Sequence, residues 1–238
     1  MHKFIILVLI IVTFSSCKQE KETPKVRYEA TSKDKKEVKV DTTQIAVADL
    51  PIHFEGTNFL IHPIGNLNSA GKKVAYDSSS AYQDQSFTIS NTNDFQITGH
   101  LSNLKFQQVN SDSLKVLSAK PILIETATYL KMFSDKTGNQ FMVYTLSDSD
   151  TNMDGKLDEK DIKSLYISDS SGNKFTKISP DLNELIDWNC IEATSKLYFR
   201  TIEDSNKNGA FDKNDVVHYH FLNLLSKDWK AEEYVPIN

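Results

Sequence analysis

Two twelve-residue segments of the chain place oxygen-bearing groups at intervals that could surround a divalent cation. In the first segment the candidate ligands occupy positions 1, 3, 5, 7, 9 and 12, and they are Asp150, Asn152, Asp154, Lys156 through its backbone carbonyl, Asp158 and Asp161. Calcium is a hard cation that takes ~6 to 8 oxygen ligands, and alternate residues of a coiled loop can present them inward. Gly155, at position 6, permits a sharp turn that needs a positive φ. The spacing therefore predicts a calcium site between two apolar runs.

A looser copy of this spacing follows 54 residues later. Its candidate ligands are Asp204, Asn206, Asn208, Ala210 through its carbonyl, Asp212 and Asp215. Asn208 stands where the first segment has Asp154, so the second segment offers one carboxylate fewer, and calcium affinity follows ligand charge and rigidity. We predict two calcium sites, of which the Asp204 site is the weaker. For each segment the alternative is a polar hairpin turn that binds no ion, and magnesium is disfavoured because it demands a smaller, strict octahedron.

The spacing of both segments resembles the calcium loops of EF-hand and dockerin proteins. Asp161 and Asp215 close the two loops as in dockerin-type loops, where an EF-hand usually has glutamate. The flanking residues read as strands, so the resemblance covers the loops alone and does not imply EF-hand helices. It implies calcium in a structural role, because millimolar calcium outside the cytoplasm would keep even weak sites filled.

The N-terminus carries a targeting signal. Lys3 precedes an apolar run at 4–14, which is short of the ~20 residues that a spanning helix needs and within the ~7 to 15 of a signal-peptide core. The following "FSSC" ends at Cys17, and the whole segment resembles a bacterial lipoprotein signal with its lipobox, although Phe14 stands where leucine is usual. The resemblance implies a signal peptide at 1–16 and lipidation of Cys17, which would anchor the chain to a membrane. An uncleaved anchor with an incidental cysteine is the alternative.

The segment after Cys17 is strongly charged. Residues 18–41 hold 8 basic and 6 acidic residues. A segment with so many charges cannot bury enough apolar area to offset the conformational entropy that it would lose on folding. We therefore predict a flexible tether at 17–49 and a single folded domain at 50–238.

The folded part has the pattern of an all-β protein. From about residue 50, β-branched and aromatic runs alternate with polar turns at a period near two. The two loop-containing units, at about 130–179 and 186–238, align at an offset of 54, which also matches Tyr144 with Tyr198 and Tyr166 with His220. Antiparallel strand repeats of this size predict β-propeller-like blades, with a β-sandwich as the alternative. At most one short helix is expected, near 180–187, where a serine and a proline could open it.

The remaining residues narrow the function classes. A formal charge of −5 and only two arginines exclude bulk nucleic-acid binding. His218 and His220 point to one face of a strand but show no third metal ligand, and Cys190 reads as a small buried apolar residue. We expect a non-enzymatic binding or assembly module, a lipoprotein of the cell envelope on the outer membrane of a Gram-negative bacterium, with an envelope protein or a glycan as partner. The alternative is an envelope hydrolase that acts on glycans or peptides.

Overall fold

The computed structural model describes residues 24–28, 45–67 and 88–237. The predicted signal peptide and Cys17 lie outside these ranges, as does most of the predicted tether. Among the described residues, no helix combines the length and the apolar character needed to cross a membrane.

Fourteen strands and one helix make up the described chain. The strands are β1 (Ile45–Ala48), β2 (Ile52–His53), β3 (Phe59–Leu67), β4 (Ser90–Asn93), β5 (Gln96–Gln108), β6 (Leu114–Val116), β7 (Leu123–Tyr129), β8 (Phe141–Ser147), β9 (Ser164–Asp169), β10 (Thr176–Lys177), β11 (Asn183–Ile191), β12 (Lys196–Glu203), β13 (Val216–Asn223) and β14 (Glu232–Tyr234). The helix is α1 (Lys131–Thr137). The all-β prediction is therefore confirmed.

The strands form two open antiparallel sheets. The large sheet runs β1-β3-β5-β7-β8-β9-β10, with β2, β4 and β6 paired at its sides, and the small sheet runs β11-β12-β13-β14. Neither sheet closes on itself, so the architecture is sandwich-like. It corresponds to the sandwich alternative rather than to propeller blades: the first loop-containing unit continues the large sheet, and only the second unit forms a four-stranded sheet of its own.

Two apolar clusters hold the sheets in place. One cluster covers a face of the large sheet and includes Leu104, Ile124 and Tyr144, all without solvent exposure. The other joins residues of β8 and β9 to residues of the small sheet, among them Val143, Leu197 and Phe199, so the two sheets pack face to face through it. Strand β8 is covered on both faces, which explains its nearly continuous apolar run.

The only described helix is not where the sequence predicted one. Residues 129–133 read as a strand, but the chain turns into α1 after Tyr129 and ends that helix at Gly138, which has a φ of 77° and donates its N–H to Ser134 O at 2.8 Å. The predicted helix near 180–187 is absent from the described residues. Leu182 has a φ of 60°, which an α-helix does not allow, and the next residues enter β11.

The internal repeat is present in part of the strand order, with one difference in register. The second unit runs β11, β12, acidic loop, β13 and β14, whereas the first, at 130–179, runs α1, β8, acidic loop, β9 and β10, so its predicted first strand is the helix and the repeat is limited to the remaining elements. Tyr144 faces Tyr166 across β8 and β9, whereas Tyr198 faces Phe221 across β12 and β13. The sequence match of Tyr166 with His220 is therefore wrong by one residue, because the second unit has an extra residue after its loop.

Candidate calcium loops

Both acidic segments form the connection of an antiparallel hairpin. The first joins β8 to β9, which are paired from Phe141 with Asp169 to Leu146 with Ser164. The second joins β12 to β13, which are paired from Lys196 with Asn223 to Glu203 with Val216. The paired strands fix both ends of each loop, so the polar residues must curl within the space between two strand ends.

The first loop folds its carboxylates back onto its own backbone. Asp150 accepts hydrogen bonds from the amides of Asp154 (3.1 Å) and Gly155 (2.7 Å). Asp161, at the other end, accepts from the amides of Thr151 (2.8 Å) and Asp158 (2.9 Å). The first and last predicted ligands therefore both point into the interior of the loop.

Shorter bonds complete the coil of the first loop. Asn152 Oδ1 accepts from the Asp154 amide at 2.9 Å, and Asp154 Oδ1 accepts from the Lys156 amide at 2.9 Å. Asp158 Oδ1 accepts a hydrogen bond from the Lys160 amide, also at 2.9 Å. Each of these bonds spans two residues, as in the turns that Asn and Asp side chains make with their own backbone.

The second loop repeats the same bonds at the equivalent positions. Asp204 accepts from the amides of Asn208 (3.1 Å) and Gly209 (2.7 Å), and Asp215 accepts from the amides of Ser205 (3.1 Å) and Asp212 (2.8 Å).

The two-residue turns recur as well. Asn206 accepts from the Asn208 amide at 2.9 Å, Asn208 from the Ala210 amide at 2.8 Å, and Asp212 from the Asn214 amide at 2.8 Å. Twelve-residue segments that differ at most positions thus adopt one conformation.

The backbone dihedral angles match too. The fourth residue of each loop has a positive φ, 59° at Met153 and 57° at Lys207. The sixth residue is glycine in both, with a φ of 87° at Gly155 and 85° at Gly209. In each loop two residues with left-handed backbone conformation, with one residue between them, make the sharp turn that the spacing predicted. For a non-glycine residue such as Met153 this conformation has a free-energy cost.

Each loop has one buried terminal carboxylate, Asp161 in the first and Asp204 in the second, whereas Asp150 and Asp215 are half-buried. Asp161 has no exposed surface and Asp204 is 3% exposed. Burial raises the pKa of Asp161, and Asp150 nearby raises it further, while amide hydrogen bonds oppose the shift. Among the salt bridges of the described residues, none includes a carboxylate predicted as a calcium ligand; Glu159 of the first loop, which is not a predicted ligand, lies near His100. Negative charge gathered in this way is what a bound cation would neutralise.

The donor set fits calcium by its chemistry. The first loop supplies four carboxylates, one amide oxygen and one backbone carbonyl, and the second supplies three carboxylates, two amide oxygens and one carbonyl. All are hard oxygen donors in a coil with one glycine turn. The carboxylate oxygens of Asp150, Asp161, Asp204 and Asp215 bond to loop amides, and within the described ranges no group of three or more His, Cys, Asp or Glu side chains is arranged as a metal site. Ion binding would therefore re-aim part of these side chains within the same backbone coil.

His218 and His220 lie on the inner face of β13 but do not act as a pair. His218 bonds through Nδ1 to Glu233 Oε1 at 2.7 Å and through Nε2 to Glu203 Oε2 at 3.0 Å. Glu233 chiefly, with Glu203, raises the pKa of His218, because an imidazolium can donate to both carboxylates. His220 instead bonds Thr201 at 3.1 Å, and burial lowers its pKa. Sequence reasoning missed both glutamates because they come from neighbouring strands.

Cys190 agrees with its predicted role as an apolar residue. It packs against the cluster between the sheets, and burial raises the pKa of its thiol to about 11. A thiol held protonated in this way is a poor nucleophile.

A surface cleft of ≈ 820 Å³ lies beside the first loop. Its charged residues are already paired: Lys163 Nζ lies 2.9 Å from Glu125, and His100 Nε2 lies 3.6 Å from Glu159. Glu159 and Lys163 flank the buried Asp161, so the cleft and the loop share a wall.

An aromatic surface covers the outer face of the small sheet. Tyr234 lies at the centre, with its ring centroid 5.7 Å from that of Tyr198 and 6.1 Å from those of Tyr219 and Phe221. Lys196 Nζ lies 3.6 Å above the Phe221 ring. These side chains are half-buried against one another on the face turned away from the large sheet. We call the four rings the aromatic face.

Comparison with known proteins does not place the chain in a family. No family model, no curated protein and no solved structure matches it.

Proposed function

We propose that this protein is a calcium-stabilised lipoprotein of the cell envelope that serves as a binding or assembly module. The observation that supports it most is the recurrence of one loop conformation at two sites, each with one buried carboxylate, Asp161 or Asp204, that has no cationic side chain of the described residues as partner. Two different sequences converge on one coil because both keep the oxygen donors at the same spacing. In the proposal each loop holds one calcium ion, which neutralises the carboxylates and fixes the direction in which β9 or β13 leaves the loop.

A calorimetric titration of calcium into the chelator-treated protein tests the metal proposal. The expected result is two binding events and a melting temperature that rises with calcium. Magnesium at the same concentration serves as the control for a non-specific divalent effect. Titration heats equal to those of dilution, together with an unchanged melting temperature, would refute it.

The proposed anchor is the lipid on Cys17. Expression with a radiolabelled fatty acid should label the wild-type chain and leave Cys17→Ser unlabelled, and only the wild-type chain should sediment with membranes. Label that persists in Cys17→Ser would show that the anchor lies elsewhere.

The aromatic face is the proposed contact surface of the module. Its counterpart in the first unit, which carries Tyr144 and Tyr166, packs into the apolar cluster of the large sheet, whereas neither apolar cluster of the described residues includes the four rings of the aromatic face. Arg200 pairs with Asp187 on this face, so its charges are compensated and suit an uncharged, amphipathic partner such as a neutral glycan. Binding to envelope polysaccharide should be lost in Tyr198→Ala and kept in Tyr166→Phe.

The alternative function is an envelope hydrolase with its active site in the cleft beside the first loop. Two carboxylates, Glu125 and Glu159, line this cleft together with His100. Turnover of peptidoglycan or polysaccharide that disappears in Glu125→Gln, with calcium binding intact, would favour the enzyme over the module.

A further inference from the structure

Residues Pro24–Tyr28, within the predicted tether, lie across both acidic loops. Val26 is only 2% exposed, although it belongs to neither apolar cluster. Lys25 Nζ reaches Glu184 Oε1 at 2.6 Å, which fixes the segment to the start of β11. We call residues 24–28 the docked segment.

The docked segment bonds to backbone atoms of each loop. The amides of Lys25 and Val26 donate to Gly209 O at 2.8 and 3.4 Å, and the Arg27 amide donates to Thr151 O at 2.9 Å. The Thr151 hydroxyl donates in return to Lys25 O at 2.7 Å. Thr151 is the second residue of the first loop and Gly209 the sixth residue of the second, and neither belongs to the predicted ligands. The segment therefore bridges the loops without taking a coordinating carbonyl.

Two further contacts tie the docked segment to the conformation of the loops. The Tyr28 hydroxyl donates a hydrogen bond to Asp204, the first predicted ligand of the second loop. A side chain at Gly209 would not fit, because a Cβ there would lie 2.6 Å from Pro24 Cβ and 2.6 Å from Val26 O. The segment thus recognises the coil with the glycine turn, which is the conformation that a bound ion would stabilise.

We infer that calcium binding by the two loops and docking of Pro24–Tyr28 across them are one coupled equilibrium, an inference that rests on the calcium loops proposed above. An ion that stabilises either coil holds the Thr151 and Gly209 carbonyls where they accept the hydrogen bonds of the docked segment, and so favours docking. Docking in turn raises the affinity of the loops for the ion by the same factor. Because one segment contacts both loops, the coupling also links the two calcium sites to each other.

The coupling would set the distance between the body and its anchor. Cys17 lies 7 residues before Pro24, a reach of at most about 25 Å when extended, whereas the 28 residues from Cys17 to Ile45 reach at most about 100 Å. With Cys17 lipidated as proposed above, docking would shorten the maximum reach of the chain between the lipid and the body about fourfold.

Hydrogen–deuterium exchange of the full chain, in calcium and in EDTA, tests the inference. We expect slow exchange of the Lys25 and Arg27 amides in calcium and fast exchange in EDTA, in parallel with the loop amides. Loop amides that exchange equally fast in calcium and in EDTA would refute the proposed calcium sites themselves. Loop amides that exchange more slowly in calcium, while the Lys25 and Arg27 amides exchange at the same rate in both, would refute the coupling alone.

Val26→Asn provides the reciprocal test, because it disrupts docking without touching a predicted ligand. We expect calcium affinity to fall by roughly 5- to 10-fold, within the usual range of coupling between sites, with an unchanged melting temperature in EDTA. Arg27→Gln is the matched control, since its side chain is exposed and its bond to Thr151 comes from the backbone. Equal destabilisation of Val26→Asn in calcium and in EDTA would make the docked segment a plain structural element and overturn the inference.

Discussion

Replacing Asp150 with alanine should destabilise the protein by two separable amounts. Asp150 is the first ligand of the first loop and also accepts two amide hydrogen bonds, from Asp154 at 3.1 Å and from Gly155 at 2.7 Å. Asp150→Ala removes both bonds whether or not an ion is present. Only in calcium does it also remove an ion ligand.

The magnitudes follow from these two contributions. Hydrogen bonds to a charged group contribute ~1.5–3 kcal/mol when buried, and the exposure of the Asp154 amide reduces the combined loss in EDTA to ~1–3 kcal/mol. Abolishing a site whose free calcium is 100-fold above its Kd removes a further ~2.7 kcal/mol. For a domain of this size 1 kcal/mol shifts Tm by ~2–4 °C, so calcium should widen the gap between wild type and variant by roughly 5 to 10 °C.

Differential scanning calorimetry of both proteins, in excess calcium and in EDTA, measures the two contributions. Asp112→Ala, an exposed aspartate outside the loops, is the control and should melt with the wild type in both buffers. A gap between wild type and Asp150→Ala that is the same in calcium and in EDTA would refute the reasoning, because it would mean that Asp150 stabilises the turn and no ion.

The other predictions concern the second loop, the histidine between two glutamates and the core. Asp204→Ala should remove the weaker of two calorimetric calcium binding events, and loss of the tighter one would reverse the assigned order. The pKa of His218 is raised by Glu233 and by Glu203, so the stability that protonated His218 contributes is fully present below about pH 6.5 and is lost as the pH rises through the raised pKa. The urea midpoint should therefore fall more between about pH 5.5 and 8.5 in the wild type than in His218→Gln. Identical pH profiles of the two proteins would contradict this. Phe199→Ala should cost ~3–5 kcal/mol in urea unfolding, equally in calcium and in EDTA, because Phe199 is 2% exposed in the core between the sheets, and a calcium-dependent cost would contradict the separation of core from loops.

The spacing of residues along the chain predicted those parts of the structure that depend on contacts between residues close in sequence. The positions of Asp150, Asp154 and Gly155 along the chain were enough to predict an inward-turned coil, because the two aspartate side chains accept from amides 2 to 5 residues further on, that of Gly155 among them. The alternation of apolar residues likewise predicted β8, β9, β12 and β13, since period-two burial is a property of a strand itself.

Other features depended on contacts between distant residues. The prediction of propeller blades failed because the pattern of β7–β10 does not say which strand pairs with β7 on its other side, and β5 occupies that edge. The serine–proline start predicted a helix near 180–187, but the pairing of β11 with β12, from Asn183 with Glu203 to Ile191 with Lys196, outweighs that preference.

By itself, then, the sequence determined the all-β class, the two loop coils and the chemistry of their oxygen donors, because these arise within a dozen residues of chain. Only the tertiary structure decided that the segment with the buried Val26 crosses both loops, that Glu203 and Glu233 enclose His218, and that the two sheets share one apolar cluster. The physical reason is that these contacts join residues far apart in the chain, where the free energy depends on which surfaces meet and not on which residues follow one another.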